Sequence, residues 1–279
     1  MKQLDKISQT LIINGTLTEQ PGLLYGKTGI AVFFFHYAKI TGNSLFQEYA
    51  LDLIEEVQKQ ITVTTPLRYD IGISGIGVGF DYFLQNGFIE ADDDIFEDFD
   101  ERMYRAAMSE KYPDLSLQGG LAGLGRYFLY RLRSSGNKDR ILQEALTKIA
   151  QEISLKIEAN KASENDQPDV YRFMRDLVTL PEYAEKYASS LQLCKEWDCI
   201  WKPDIQTLLP NTNLLPRLYL IQHYFNMDLA EEIGREWKKW EEDDIYTISN
   251  MGLLNGWTAE GMLYLTCFHN LDKSWLNLL

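Results

Sequence analysis

A short glycine pattern recurs along this chain at nearly equal intervals, and it constrains the fold more than any other feature. Gly-x-x-Gly followed by a dense apolar and aromatic run begins at Gly26, Gly72 and Gly120, so successive copies start 46 and 48 residues apart. A fourth copy begins at Gly256, with Ala259 in place of its second glycine. A repeat with a period of about 20 to 50 residues predicts an array of similar structural units.

The 136 residues between the third and fourth copies have room for two further, degenerate units. The stretch NTNLLPRLYLIQHYF, from Asn211, is one candidate, and DVYRFMRDLVTL, from Asp169, is a weaker one. Six units account for all 279 residues, which predicts a single domain over residues 1–279.

Each unit also contains an amphipathic stretch ahead of its glycine motif. ILQEALTKIAQEISLKI, for example, has an apolar helical face that contains Ile141, Leu142, Ala145, Leu146, Ile149 and Ile153. SLFQEYALDLIEEVQKQI has a similar face, with Asn43 or Ser44 as the helix cap. One amphipathic helix and one helix that is apolar nearly all round make a pair. Six pairs predict an all-α fold, an α/α toroid of twelve helices in two concentric rings, and an open superhelical array is the alternative.

The Gly26-Lys27-Thr28 sequence resembles a phosphate-binding loop but lacks its other requirements. Such a loop follows a strand and has a glycine five positions before the second one, where this chain has Pro21. The interpretation is that the recurring glycines allow sharp backbone turns at the crowded starts of the inner helices, with positive φ at residues such as Gly75 and Gly123. Lys27 is then expected to be solvated.

Composition narrows the class of protein. Acidic residues outnumber basic ones 41 to 27, for a net charge of -14, which disfavours a nucleic-acid-binding protein. We expect no membrane-spanning segment, because no apolar stretch approaches the ~20 residues required. The three cysteines, Cys194, Cys199 and Cys267, with no export signal ahead of them, predict a cytoplasmic protein with reduced thiols.

The sequence resembles the lanthionine synthetase C-like proteins. The strongest matches are YDIGISGIGVGF, LQGGLAGLGRYFL and GLLNGWTAEGMLYL. The resemblance implies an α/α toroid with Gly-x-x-Gly at the head of successive inner helices. Active members are zinc enzymes that add a peptide cysteine thiolate to dehydroalanine or dehydrobutyrine. Their zinc is bound by a cysteine in a Trp-Cys-x-Gly-type loop and by a Cys-His pair directly before a Gly-x-x-Gly.

This chain departs from that pattern at the implied zinc and catalytic positions. The pairs directly before its motif glycines contain neither cysteine nor histidine; they are Leu24-Tyr25, Asp70-Ile71, Gln118-Gly119 and Leu254-Asn255. Gly119 stands where the family has a histidine. Asp70 resembles the family's aspartate in a Tyr-Asp-x-Ile-Ser-Gly context, with one extra residue here. We therefore expect no metal, no cofactor and no zinc-dependent cyclase activity.

The remaining cysteines and histidines do not form a second candidate metal site. Cys267 and His269 are two residues apart on a helix, so they point in different directions. Cys194 and Cys199 are poorly spaced as a chelate. His36 and His223 lie within apolar helices and are interpreted as core residues.

In a two-ring toroid, the starts of the inner helices gather at one end, so side chains near the motif glycines are expected to line a common mouth. The predicted substrate-binding residues are Tyr25, Lys27, Gln118, Asn255 and Trp257, and the predicted catalytic residues are Asp70 and Glu260. The resemblance favours a protein that binds a peptide or a partner enzyme in lanthipeptide-type maturation. A carbohydrate-active enzyme that uses the two carboxyl groups is the alternative. A module that only binds other proteins also remains open.

Overall fold

The computed structural model describes residues 2–90, 96–109, 112, 114–136, 139–197, 214–242 and 250–279. They form the α-helices α1 (Lys2–Gly15), α2 (Lys27–Thr41), α3 (Ser44–Gln60), α4 (Ile73–Gln85), α5 (Glu97–Ser109), α6 (Leu121–Ser134), α7 (Arg140–Glu158), α8 (Gln167–Leu177), α9 (Pro181–Lys195), α10 (Leu214–Phe225), α11 (Ala230–Glu242) and α12 (Trp257–Phe268). A 3-10 helix, η1 (Lys273–Leu278), follows. These residues contain no strand, so the all-α prediction is confirmed. Two residues named above, Cys199 and Asn211, lie outside the described residues.

The amphipathic helices form where their caps and apolar faces predict. Asp139 caps α7, its side chain accepting hydrogen bonds from the N–H groups of Ile141 and Leu142 at 2.9 and 3.2 Å. Asn43 caps α3 in the same way. The first apolar residue of each helix was assigned wrongly to the buried face, because Leu45 is 65% exposed and Ile141 is 53% exposed. Each of these residues is the second residue of its helix, ahead of the buried positions.

The chain divides into two compact units, which we call the central unit (Thr65–Asp204) and the terminal unit (Met1–Thr64 and Ile205–Leu279). In the central unit, the apolar helices α4, α6 and α8 pack side by side, and so do the amphipathic helices α5, α7 and α9. Contacts of α6 with α7 and of α8 with α9 join these two layers. The prediction of a single domain over 1–279 stays a prediction.

The terminal unit has the same organisation and contains both ends of the helix series. The apolar helices α10, α12 and α2 pack in that order, with α11 against α10, α1 against α12 and α3 against α2. The last apolar helix therefore contacts the first one. An open array leaves its first and last repeats apart, whereas a toroid joins them. The helix pairs are those of an α/α toroid, as predicted.

Four loops share one hydrogen bond that sets how each apolar helix begins. The N–H of the residue after the first motif glycine donates to the carbonyl six residues before that glycine, and the N···O distances are 2.8–3.3 Å. The pairs are Lys27 to Gln20, Ile73 to Pro66, Leu121 to Asp114, and Trp257 to Asn250. Each loop thus folds back to cap its own helix through backbone groups, which would otherwise lack partners.

Close backbone approach, and not positive φ, explains why the motif requires glycine. The first motif glycines are extended, with φ between -101° and -136°, and neither Gly75 nor Gly123 has positive φ. The predicted positive φ is therefore wrong. A Cβ atom at Gly123 would lie 1.9 Å from the carbonyl oxygen of Leu117 and 2.9 Å from Cβ of Tyr69. Only glycine lets α6 enter so close to these two loops.

A further set of glycines was missed in the sequence; they stand five residues after the motif starts Gly72, Gly120 and Gly256, whereas Ala31 stands there after Gly26. Aromatic rings of the neighbouring apolar helix pack directly on them: Tyr127 on Gly77, Phe173 on Gly125, and Phe33 on Gly261. Tyr127 and Phe33 each stand seven residues after their own motif glycine. Phe173 belongs to the degenerate fourth unit, and the residue seven positions before it is Asp166, the N-cap residue of α8. Asp166 therefore occupies the position of the first motif glycine in that unit.

Candidate functional site

Neighbouring motif loops are joined by backbone hydrogen bonds, and this brings two predicted site residues together. In the central unit, the carbonyl of Gln118 accepts hydrogen bonds from the N–H groups of Tyr69 and Asp70 at 2.9 and 3.4 Å. In the terminal unit, the carbonyl of Leu24 accepts from Leu253 and Leu254 at 2.8 and 3.3 Å. The predicted residues Asp70 and Gln118 therefore lie side by side in the central unit.

Asp70 forms a bidentate ion pair with Arg68, a residue that the sequence analysis missed. The Nε and Nη2 groups of Arg68 donate to Oδ1 and Oδ2 of Asp70 at 2.8 and 2.5 Å. The backbone N–H of Ile71 donates to Oδ1 at 2.9 Å. The aspartate side chain is 6% exposed and the arginine side chain 46%. The carboxylate is therefore held inside the loop, while the guanidinium meets the solvent.

Arg68 also lies against Gly119, the position where the resemblance implies a histidine. A Cβ atom at Gly119 would lie 3.0 Å from Nη1 of Arg68 and 3.3 Å from Cζ. The guanidinium thus takes up space that a side chain at position 119 would need. The Arg68–Asp70 pair therefore lies where the family resemblance implies a histidine, at position 119, and an aspartate, at position 70.

A cavity of about 320 Å³ opens beside this pair within the central unit. Its walls combine aliphatic and aromatic side chains with polar groups in about equal measure; the lining includes Leu67, Arg68, Tyr69, Tyr112, Gly119 and Leu124. A concave site that places polar groups among apolar ones can bind a small ligand. Its volume is at the lower end of the usual range of about 300–1,000 Å³.

The terminal unit positions the other predicted site residues less favourably for a ligand. Lys27 is buried and forms an ion pair with Glu56 of α3 at 2.5 Å, so the prediction of a solvated lysine is wrong. Trp257 is 5% exposed, and Tyr25 and Asn255 are half-buried. The first turn of α2 packs against α3, which takes Lys27 away from the surface. Lys27 therefore has a structural role.

Glu260 is a buried carboxyl group on the first turn of α12. It is 3% exposed, and within the part of the chain that the structure describes, its Oε2 atom has no hydrogen-bond partner. Loss of hydration raises the pKa of Glu260 to about 8. The carboxyl group is therefore mainly protonated at neutral pH. Asp70 and Glu260 belong to different units, and their use as a catalytic pair stays a prediction.

A family model described as lanthionine synthetase C-like protein matches residues 19–172, just over half of the chain. The chain belongs to the lanthionine synthetase C-like family. No curated protein matches the sequence. The match covers the loops that begin at Gly26, Gly72 and Gly120, and therefore the Arg68–Asp70 pair and its cavity. It does not favour the carbohydrate-active alternative.

The residues of this LanC-like protein do not fit the zinc ion of active family members. Leu254 and Asn255 stand directly before the Gly256 motif; Leu254 is buried and its N–H is bonded to Leu24. The carbonyl of Asn255 accepts a hydrogen bond from Asn250 Nδ2 at 3.2 Å. Neither side chain supplies a thiolate or an imidazole. Among the residues with described positions, no group of three or more His, Cys, Asp or Glu could hold a metal.

Among the described histidine and cysteine side chains, His36 and Cys194 are buried, whereas Cys267 is exposed, so its interpretation as a packing residue is wrong. Burial lowers the pKa of His36 to about 4, and His223 Nε2 hydrogen-bonds Asn277 Oδ1 at 3.0 Å. Cys267 Sγ lies 2.6 Å from the Tyr219 hydroxyl, while Cys194 is fully buried in α9. The core interpretation of His36 and Cys194 is confirmed.

Arg68 and Tyr112 were not predicted as site residues, and the sequence contains a signal for only the first of them. Arg68 stands two residues before Asp70 in the same motif loop, and opposite charges so close in the sequence could have been predicted to pair. Tyr112 lies in a connecting loop without any repeat register. No pattern in the sequence connects it to the motif glycines.

Proposed function

We propose that this LanC-like protein binds a peptide segment at the central-unit cavity and does not close thioether rings with zinc. The proposal depends on one observation above all, namely the Arg68–Asp70 pair at the wall of a cavity between two motif loops. Family membership places peptides among the expected ligands. The loss of cysteine and histidine before the motif glycines removes the groups that would activate a thiol.

The geometry supports binding more than proton transfer. Asp70 accepts three hydrogen bonds, two of them from a guanidinium that stays charged at any physiological pH. These three donors occupy the carboxylate oxygens that would otherwise face a substrate proton. We therefore assign Asp70 the role of a positioning residue, which fixes the orientation of Arg68.

Peptide binding suits the shape and chemistry of the cavity. Leu67 and Tyr112 are half-buried and offer apolar surface for one side chain, above the buried Tyr69 and Leu124. Gln118 is half-buried beside Asp70 and adds amide groups at the same loop. The peptide would come from a substrate or from a peptide-modifying partner protein. A cytoplasmic location remains the prediction from the sequence, and none of the described helices has the length and apolarity to cross a bilayer.

Filling the cavity tests this function directly. We expect Gly119→Leu to abolish the binding of short peptides by calorimetry, since the new side chain must occupy the space next to Arg68. Gly234→Leu is the matched control, because a Cβ atom at Gly234 would have no atom of the described residues within 4 Å. Peptide binding that survives Gly119→Leu in a folded protein would contradict the proposed site.

The loss of cyclase chemistry has its own test. We expect purified protein to contain no stoichiometric zinc, and added zinc to cause no thiol addition to a dehydroalanine peptide. If the rate of ring closure increased with the amount of zinc bound to the protein, the chain would have to bind the metal through other residues.

A further inference from the structure

A second cavity lies in the central unit, near the C-terminal end of α6. Its volume is about 630 Å³, larger than that of the cavity beside the Arg68–Asp70 pair. Gly120 lines the first cavity and Arg131 the second, so the two are about 16 Å apart along α6. We call the second cavity the α5–α7 groove, because α5 and the start of α7 supply most of its walls. Its lining includes Phe96, Glu97, Glu101, Arg131, Asp139 and Ile141.

One aliphatic side chain of the groove is left uncovered by the fold. Ile141, the second residue of α7, is 53% exposed, whereas Phe96 and Leu142, which line the same groove, are buried. A single exposed apolar side chain on a convex surface is ordinary. Within a concave surface, one side chain of a partner can cover it, and the removal of its apolar area from water favours association.

Arg131, the basic side chain of the lining, is held by groups of the protein itself. Its Nε and Nη2 donate to the carboxylate of Asp100 at 3.1 and 2.9 Å, and its Nη1 donates to Asp81 at 3.2 Å. Its Cζ atom lies 3.7 Å from the centre of the Phe96 ring. An anionic ligand would have to compete with two carboxylates for this guanidinium. The groove is therefore a poor site for an anion.

The other charged side chains of the lining are acidic. Glu97 and Glu101 are exposed on α5, and Asp139 is the cap of α7. Glu101 also pairs with Arg105, but these side chains are 57% and 67% exposed, so water screens the pair. Because the acidic groups outnumber the basic one, the groove attracts a cation.

The kind of cation follows from the arrangement of the carboxyl groups. Among the residues that the structure describes, no group of three or more His, Cys, Asp or Glu could hold a metal ion. The carboxylates therefore do not converge as calcium or magnesium ligands do. An ammonium or guanidinium group pairs with one carboxylate at a time, and its aliphatic stem packs on apolar surface such as that of Ile141. A second copy of this chain is a poor occupant, since each copy has a net charge of -14.

We propose that the α5–α7 groove docks a partner protein through a segment in which a lysine or arginine stands next to an aliphatic residue. The basic group lies against Glu97 and Glu101, and the aliphatic side chain covers Ile141. This docking site is separate from the cavity beside the Arg68–Asp70 pair. It does not depend on the peptide-binding function proposed above.

Three matched hexapeptides represent the docking segment in calorimetric titrations of the full chain. The first is acetyl-Ser-Lys-Leu-Arg-Ser-Gly-amide; the second has Gln at both basic positions, and the third has Ser in place of Leu. We expect the first to bind about tenfold more tightly than either of the others at low salt. At high salt, its preference over the Gln peptide should decrease because ions screen exposed charges, while its preference over the Ser peptide should persist.

Charge variants assign the first preference to the groove. Glu97→Gln/Glu101→Gln should reduce the tenfold preference over the Gln peptide to less than about threefold. Both glutamates are exposed, so the variant should fold normally. Glu164→Gln/Glu185→Gln is the matched control, because it makes the same change of charge at two exposed positions of the same unit outside the groove lining. It should leave the preference unchanged.

Apolar variants assign the second preference to Ile141. Ile141→Ser should reduce the preference over the Ser peptide to less than about threefold, since the leucine side chain then has no aliphatic partner to cover. Leu155→Ser is the matched control, because Leu155 lies on the same helix, is 58% exposed and does not line the groove. It should leave both preferences unchanged.

The outcomes separate this proposal from the proposed function. Equal binding of the three peptides, no binding of the first, or preferences that the groove variants retain would overturn docking at the groove. A preference that the control charge variant also loses would overturn it as well, because it would reflect the overall charge alone. The neutral Gln peptide is the one to use in the Gly119→Leu test above, and failure of that test leaves docking intact. If Gly119→Leu abolishes binding of the basic peptide, that peptide occupies the other cavity and the groove proposal is wrong.

Discussion

The buried carboxyl group of Glu260 should make the stability of the protein depend on pH in a direction opposite to that of an ordinary glutamate. Its pKa is raised from the usual 4.5 to about 8 by burial, so the folded state binds a proton more tightly than the unfolded chain does. Stability from this group is fully present below pH 4.5. It is lost as the pH rises toward 8, because the folded state must then keep the proton or bury a charge.

The size of the effect follows from the shift. Each pKa unit corresponds to about 1.4 kcal/mol, so the change from 4.5 to about 8 represents about 5 kcal/mol between pH 4.5 and pH 8. Glu260→Gln keeps the shape of the protonated side chain and cannot ionise. We therefore expect the variant to gain stability relative to wild type as the pH rises, by about 3 kcal/mol at pH 7.

Urea unfolding at pH 5, 7 and 9, followed by circular dichroism, measures this difference. The comparison of variant with wild type at each pH cancels the contributions of all other titrating groups. Glu231→Gln is the matched control, because Glu231 is an exposed glutamate in the first turn of α11. A stability difference between Glu260→Gln and wild type that stays constant from pH 5 to 9 would show that the carboxyl group is hydrated or ionically paired, and the reasoning would be refuted.

Two further predictions concern the loops. Gly123→Val should destabilise the fold by about 3 kcal/mol or more, because its Cβ would lie 1.9 Å from the Leu117 oxygen. Thermal melting checks this against Gly234→Val, which meets open space, and equal melting of the two variants would contradict the close-approach argument. Lys27→Met should change stability by less than about 1 kcal/mol, since Glu56 is exposed enough to hydrate, whereas Glu56→Gln should cost about 2 kcal/mol by leaving a buried ammonium without its partner. A larger loss in Lys27→Met than in Glu56→Gln, by urea titration, would reverse this assignment.

The fold was predictable from the sequence because two signals agree at the four repeats that contain a glycine motif. Apolar periodicity identifies the two kinds of helix, and the motif glycines mark where each buried helix begins. The reason for the glycines was not predictable, since the approach of the Leu117 carbonyl to Gly123 depends on how neighbouring loops join. The same hydrogen bonds between loops place Asp70 beside Gln118.

The site was predictable only in part, because residues at equivalent positions beside the motif glycines differ in how deeply their side chains are buried. Tyr25, Lys27 and Trp257 all stand within one residue of a motif glycine, yet Lys27 and Trp257 are buried and Tyr25 is half-buried. The packing of α3 on α2 decides this for Lys27. Conversely, Arg68 stands four residues from its motif glycine, and the ion pair with Asp70 keeps it at the cavity.

A second Arg–Asp pair shows what distinguishes a binding role from a structural one in this protein. In the degenerate fourth unit, Asp169 stands three residues after Asp166, at the position of the second motif glycine. Its Oδ2 accepts the Leu117 N–H at 2.7 Å, and in the other loops a backbone carbonyl accepts the equivalent bond. Arg172, which pairs with Asp169, is 2% exposed, so it only neutralises a carboxylate that replaces a missing loop contact.

Arg68 has the same partner chemistry but is 46% exposed, and it faces a cavity. Exposure keeps the Arg68 guanidinium partly hydrated, so it avoids the desolvation cost that the buried Arg172 carries. It also leaves Arg68 accessible from the cavity, whereas Arg172 is shielded from any ligand. Removal of the guanidinium should change ligand selection at position 68, whereas at position 172 it should change only stability.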